Sequence, residues 1–326
     1  MAIQFGRNAF VNVSNTPEST YGSNAGATYD VYNRIFSCSL QRTQTREQVT
    51  HLSTSDGAFS RAQFAVATEV SGTVEMPLMY EGSGVWLAYA LGSSSSTGGS
   101  APHTHTYSAD TTNLASFCLK FQRGTGGHEE FKGLMVSSMT ISCAAGEEAR
   151  ISCDLIGQDS ATRNASSLPS SFGTGAQVLH NQCDASALRY TPDGGSLQQF
   201  TLRSFEFTLD NKLEDRRTLG SLLTSSPAVT DIRDVTVSCV ADLEDETIYN
   251  HQLDGTTGVL SIQYTSGTDQ FIIILNNAVC MEYSDEVNTV GRLERSFTFK
   301  GLAAATGSGE ACEIQVINGD SSAVSN

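Results

Sequence analysis

Nothing in the sequence limits the fold more than the stretch from Val70 to Gly92, VSGTVEMPLMYEGSGVWLAYALG. Val70, Gly72, Val74, Met76 and Leu78 alternate with smaller or polar residues, which is the period of a half-buried strand. Glu81-Gly82-Ser83-Gly84 then supplies turn residues and a serine placed to cap a helix. Val85, Trp86, Leu87, Tyr89, Ala90 and Leu91 crowd onto a short apolar helix that ends at Gly92. Trp86 is the only tryptophan, and its place marks it as a core anchor beneath a sheet.

The rest of the chain favours β structure as well. Charged residues are 17% of 326, and the apolar residues fall in short alternating runs broken by glycine and serine. The formal charge of −16 argues against nucleic-acid binding by phosphate neutralisation, which needs basic grooves. That charge is unequally shared: 14 acidic against 10 basic residues up to 165 (−4), then 21 against 9 (−12). Eight cysteines are scattered with no CxxC pair, mostly at strand positions. With no signal peptide at Met1-Ala2-Ile3-Gln4, free thiols in a reducing cytosol are the expectation. No apolar run approaches the roughly 18 residues of a membrane span.

Taken in order, residues 1–30 read as an arm rich in turn formers. Arg34 to Leu40 alternates through Phe36, Cys38 and Leu40 and leads to a polar segment, Thr43 to Arg61. With the strand at Val70 this makes a long hairpin whose tip carries Gln44, Arg46, Glu47, Asp56 and Arg61. Ser93 to Thr112 reads as a low-complexity polar loop. Phe117–Arg123, Phe131–Cys143 and Arg150–Ile156 form an antiparallel meander ending at Gly157.

The order then repeats. Arg203, Phe205, Phe207 and Leu209 lie over Arg34, Phe36, Cys38 and Leu40, and a second polar tip, Lys212 to Arg233, holds Lys212, Glu214, Arg216 and Arg217. Val235 to Leu243 matches the Val70 strand, Thr247 to Leu253 the Trp86 helix, and Leu260 to Gly301 the meander. The expected organisation is therefore an arm (1–30), a first β domain (31–160), a linker (161–199), a second β domain (200–303) and a tail (304–326). The polar tips suit contact with a neighbouring molecule better than burial.

Chemical signatures are weak. His103 and His105 project to one side of an extended chain, but no further ligand accompanies them, so a loop contact is the better reading. Glu147-Glu148 and Asp242, Glu244 and Glu246 sit at turns and lack the spacing of a calcium loop. No nucleophile elbow, zinc-protease or phosphate-loop motif occurs, and Gly124-Thr-Gly126-Gly127 reads as a hairpin turn. The sequons at Asn12 and Asn164 carry little weight in a serine-rich chain. No enzyme and no cofactor is expected.

Glu18-Ser-Thr-Tyr21-Gly22, the strand Gly72-Thr-Val-Glu-Met-Pro-Leu78, the helix end Ala90-Leu91-Gly92 and the following His103-Thr-His105 together resemble the major tail tube protein of long-tailed (siphovirus-like) bacteriophages, of the duplicated-domain type. The resemblance spans about Phe10 to Ala303. It implies an all-β fold with minor α: two tandem β-sandwich or half-barrel domains, each with a short flanking helix. It also implies stacked rings around a channel that double-stranded DNA passes without specific binding, built from three subunits in pseudo-six-fold symmetry. The implied partners are further copies of the chain and the tail terminator, tape-measure and tail-tip proteins. The implied location is the virion tail, after assembly in the host cytoplasm. Under the same resemblance the N-terminal arm joins rings, so its removal would leave soluble rings or monomers that do not stack. The alternatives are a hexameric tube protein with an outer decorating domain, and a β-sandwich module that binds carbohydrate or a host surface.

Overall fold

The computed structural model describes residues 6–48, 63–109, 114–161, 163–164, 168, 175–243, 247–285, 293–303 and 310–324. The N-terminal half contains β1 (Phe10–Val13), β2 (Val31–Arg34), β3 (Ser37–Cys38), β4 (Gln41–Gln48), β5 (Gln63–Pro77), helix α1 (Gly84–Leu91), β6 (Gly92–Thr97), β7 (His103–Ala109), β8 (Phe117–Gln122), β9 (His128–Ala144), β10 (Arg150–Gly157) and β11 (Asp159–Ser160). The C-terminal half contains β12 (Cys183–Pro192), β13 (Gln198–Phe200), β14 (Leu202–Asp210), β15 (Leu213–Arg216), β16 (Ser225–Val229), β17 (Asp234–Asp242), helix α2 (Thr247–Asp254), β18 (Thr257–Ser266), β19 (Asp269–Ser284), β20 (Glu294–Gly301) and β21 (Cys312–Asn318). The fold is all-β with minor α.

Eight strands run side by side in the order β4–β5–β10–β9–β14–β17–β20–β19, every neighbour antiparallel. Along their central rows they alternate. Val74, Met139, Cys153, Phe207, Val237 and Phe299 are fully buried on one face, while the residues between them are polar. Behind that buried face lies a second layer. In the N-terminal half it is β2–β1–β8 with the first part of β9, and in the C-terminal half it is β13–β12–β18–β19–β21–β7–β6. The long strands β9 and β19 pass from one layer to the other, so both layers share one covalent frame. Gly72 permits a close approach within it: a Cβ there would lie 2.6 Å from the Leu40 backbone.

Helix α1 closes the first half. Trp86 is 0% exposed, donates its indole N–H to Asn33 Oδ1 at 3.0 Å and meets the Phe117 ring edge-on at 6.0 Å. Tyr89 stacks on Phe117 at 4.3 Å and donates its hydroxyl to the Ser14 carbonyl. The helix ends at Gly92 in the left-handed conformation that glycine favours. Its start differs from expectation, because Ser83 makes no side-chain cap. Ser83 Oγ instead accepts the Met79 N–H at 2.9 Å and so tightens the turn before the helix.

Several other expectations are corrected. Arg34 to Leu40 is not one alternating strand: the chain breaks between β2 and β3 and again before β4, leaving Phe36 43% exposed beneath the Arg150 guanidinium. The polar stretch after Gly92 is a β6–β7 hairpin, and Tyr107 and His105 on β7 are buried. His105 is a hydrogen-bonding core residue whose ring nitrogens reach Ser96 Oγ, Asn318 Oδ1 and the Asp320 carbonyl. The C-terminal stretch supplies β21, which buries Cys312, Ile314 and Val316 between β7 and β19. The N-terminal stretch contains β1, buried along its whole length between β2 and β8. Asn12 of the first sequon is 1% exposed within β1. The segment before β13 likewise holds a full strand, β12. All eight cysteines are free thiols.

Glu18 explains how the segment after β1 lies down. Its Oε2 accepts from Gly22 N and Ser116 Oγ, and its Oε1 accepts from Gly133 N and Cys118 Sγ, at 2.7 to 3.0 Å. Gly22 beside it takes a φ of 77°, a left-handed conformation that other side chains rarely adopt.

Candidate functional site

The polar face of the eight-stranded run is made chiefly of hydroxyl side chains. One row across it reads Ser37, Glu75, Ser152, Thr140 and Thr208, on β3, β5, β10, β9 and β14. A second row reads Glu206, Ser238, Thr298 and Glu282, on β14, β17, β20 and β19. The hydroxyls hold the carboxylates in place. Asp154 accepts from Thr73 Oγ1 at 2.5 Å and from Ser138 Oγ at 2.7 Å, and Ser238 bonds Thr298 at 3.1 Å. The cations on this face are neutralised locally: Arg150 pairs with Glu75 at 3.0 Å and Lys300 with Asp234 at 2.8 Å. A slight concavity, lined by Ser142, Ser204, Glu206, Ser238 and Thr298, runs over β9, β14, β17 and β20.

Among the described residues two edges of this sheet are open. Beyond Val279, where β18 turns away, no strand among the described residues covers the side of β19 opposite β20. The outer side of β3 and β4 is likewise uncovered among the described residues. Open edges attract other strands, and neither of these carries the proline or dense lysine that would block pairing. The β3 edge is held rigid from behind. Arg123 donates to the Leu40 carbonyl at 3.0 Å while pairing with Glu129, which also receives Arg163 and Ser160. Burial alone would raise the Glu129 pKa, but these donors outweigh it and hold the carboxyl below its ordinary value.

The two halves of the chain meet through a ladder of the same kind. On β9 and β14, Met139 faces Leu209, Ile141 faces Phe207 and Cys143 faces Phe205. Beside the ladder, Asn211 Nδ2 donates to the carbonyls of Ala90 and Val136, and Arg233 Nη2 donates to those of Ala90 and Leu91. The exposed C-terminal carbonyls of α1 are thereby satisfied from the other half of the chain. Asn211 is 0% exposed. Nothing in the sequence pattern marks it except its place at the turn after an alternating strand.

The tip residues named from sequence divide between these surfaces. Gln44, Arg46 and Glu47 lie on β4 at the open edge, with Arg46 donating to Gln44 at 3.2 Å. Asp56 and Arg61 lie outside the described residues. Lys212 pairs with Asp210 at 2.5 Å, Glu214 and Arg216 are exposed on the β15–β16 ribbon, and Arg217 reaches across to Glu69 on β5. That ribbon continues onto the first half: Thr68 N donates to the Leu222 carbonyl at 2.8 Å and Gln158 Nε2 to that of Thr224 at 2.9 Å. Trp86 is remote from these surfaces and packs inside the core.

A family model described as phage tail tube protein matches residues 6–311. The chain belongs to the phage tail tube protein family. A comparison with curated proteins gave no match. As a tail tube protein it is a structural component of a virion tail that associates with itself into a tube and works with other tail proteins. No helix among the described residues is long and apolar enough to cross a membrane.

Proposed function

We propose that the chain is a duplicated tail tube subunit whose copies join head to tail into a closed ring, the open side of β19 pairing with the open side of β3 and β4 on the next copy. Rings stack, and the hydroxyl-lined face of the eight strands lines the channel through which DNA leaves the virion. The protein acts as a structural element and not as an enzyme. Its other contacts are the tail terminator, tape-measure and tail-tip proteins at the ends and along the bore of the tube.

The observation that carries this reading is the β9–β14 ladder, because both missing partners of a second such ladder stand at the ends of the same sheet. Registers match from the Glu282 row outward, just past the irregularity in β19 between Cys280 and Glu282. Thr140 faces Ser152 as Glu282 faces Thr298, Ser152 faces Glu75 as Thr298 faces Ser238, and Glu75 faces Ser37 as Ser238 faces Glu206. Since Thr140 faces Thr208 across the internal ladder, Glu282 faces Ser39 of the next copy across the external one. Inside the chain Phe207 lies against Ile141, and between copies small Cys38 lies against Tyr283, whose larger ring offsets part of the lost volume.

Strand pairing supports carrying the proposed duplication into the arm and the linker. β1 pairs with β2 and β8 as β12 pairs with β13 and β18, so each repeat begins with a strand inside the segment that reads as an arm or a linker. A shared internal ladder also favours a ring with both repeats in its wall over one in which the second repeat decorates the outside. Three copies contribute 24 strands, which at ordinary spacing and tilt close a barrel about 48 Å across between backbones. A channel of that width admits duplex DNA, and carboxylates held among hydroxyls offer its phosphates nothing to grip.

A paired-cysteine variant tests the register. Ser39→Cys combined with Glu282→Cys should crosslink under a mild oxidant into a ladder ending at a closed trimer, whereas each single substitution stays monomeric on denaturing gels. Crosslinks absent from assembled material would contradict the proposed joint.

A further inference from the structure

Helices α1 and α2 are both eight residues long and both end at a left-handed glycine, Gly92 and Gly255, yet their surroundings differ. All the large side chains of α1 are buried, and its last carbonyls receive Asn211 and Arg233. On α2 only Ile248 is buried. Tyr249 is 40% exposed and Leu253 62%, and among the described residues nothing donates to the carbonyls of Leu253 and Asp254. Tyr249 rests on Tyr283, ring centroids 5.6 Å apart, so this uncovered helix is continuous with the open edge of β19.

We propose that the C-terminal end of α2 is the docking site for Arg42 of the adjacent copy, a contact that rests on the head-to-tail ring. Asn211 follows Leu209 by two residues at the corner leaving β14, and Arg42 follows Leu40 by two residues as the chain enters β4. When Leu40 of one copy takes the place against β19 that Leu209 takes against β9, Arg42 arrives where Asn211 stands beside α1. Its chemistry fits that position. Arg42 Nε is held by Asp159 at 2.6 Å, which orients the guanidinium and leaves both Nη groups to donate to the Leu253 and Asp254 carbonyls. A cation at a helix C-terminus also opposes the negative end of the helix dipole. The Arg42 stem and the neighbouring backbone cover Leu253 and Tyr249, removing apolar surface that a monomer leaves in water.

The experiment compares assembly of four full-length proteins by sedimentation, each also made in the Ser39→Cys, Glu282→Cys background. Arg42→Met keeps the stem and removes the donors, and it should raise the protein concentration needed for assembly at least about ten-fold, as expected from losing charged hydrogen bonds. Leu253→Asp should do the same. Asp159→Asn, which breaks the internal ion pair of Arg42 but keeps the guanidinium, should assemble within about two-fold of the parent. Monomer melting temperatures should stay within a few degrees for all four. If Arg42→Met assembles as the parent does while the Ser39–Glu282 crosslink persists, the docking site is overturned and the ring stands. If Asp159→Asn fails as badly as Arg42→Met, Arg42 acts through its own edge and the docking site is again overturned. A parent that never crosslinks overturns both.

Discussion

Trp86→Ala should destabilise the folded monomer by about 3–5 kcal/mol, the cost of emptying a large aromatic site in a core that cannot collapse around it. The site is closed on every side. Trp86 is 0% exposed, and its neighbours Phe117 and Tyr89 are themselves locked, Tyr89 by its hydrogen bond to Ser14. The loss also reaches beyond the cavity, because Asn33 Oδ1 loses the indole N–H while Asn33 remains 3% exposed on β2. An unpaired buried acceptor costs about 1–3 kcal/mol by itself, so Trp86→Phe, which fills most of the volume and restores no donor, should fall between the parent and Trp86→Ala. Thermal unfolding followed by circular dichroism reads the order directly.

Deleting residues 1–30 should prevent folding and not merely stacking. That reverses the expectation that this segment is an arm joining rings, and β1 is the reason. Phe10, Val11 and Val13 are at most 6% exposed, and each contributes about 1.5–3 kcal/mol of burial. β1 also lies between β2 and β8, so its loss leaves both neighbours with an unpaired edge facing the core. Removing Glu18 releases four hydrogen bonds that tie residues 22, 116, 118 and 133 together. The truncated protein should be insoluble or bind hydrophobic dye strongly. A soluble truncation with a sharp thermal transition would show that the outer layer stands without β1.

Where the sequence carried a strong local period, it was sufficient. The Val70 strand, helix α1 and its glycine stop and the meander ending at Gly157 all follow from alternation and punctuation that the structure keeps, whereas β4 lies largely within the stretch that reads as a polar tip. It failed where partners lie far away in the chain. The serine run after Gly92 forms a strand because β7 pairs with it, and β7 is ordered in turn by β21, more than 200 residues later. β1 is too short for its period to stand out from a turn-rich background. Phe36 belongs to an apparent alternation that the chain interrupts, and its exposure at an open edge is visible only once the sheet is laid out. Asn211 and Arg233 could not be singled out, since capping a helix from the other half of the chain leaves no pattern in either segment.

The most direct test of the account is electron microscopy of purified, assembled protein with rotational averaging of end-on rings and a mass measurement of the isolated ring. Three chains per ring, six similar density lobes around an open channel and a continuous inner wall are the expected result. Six chains per ring with half of the mass on the outside, or monomers that never assemble, would contradict a joint in which β19 of one copy completes the sheet of the next.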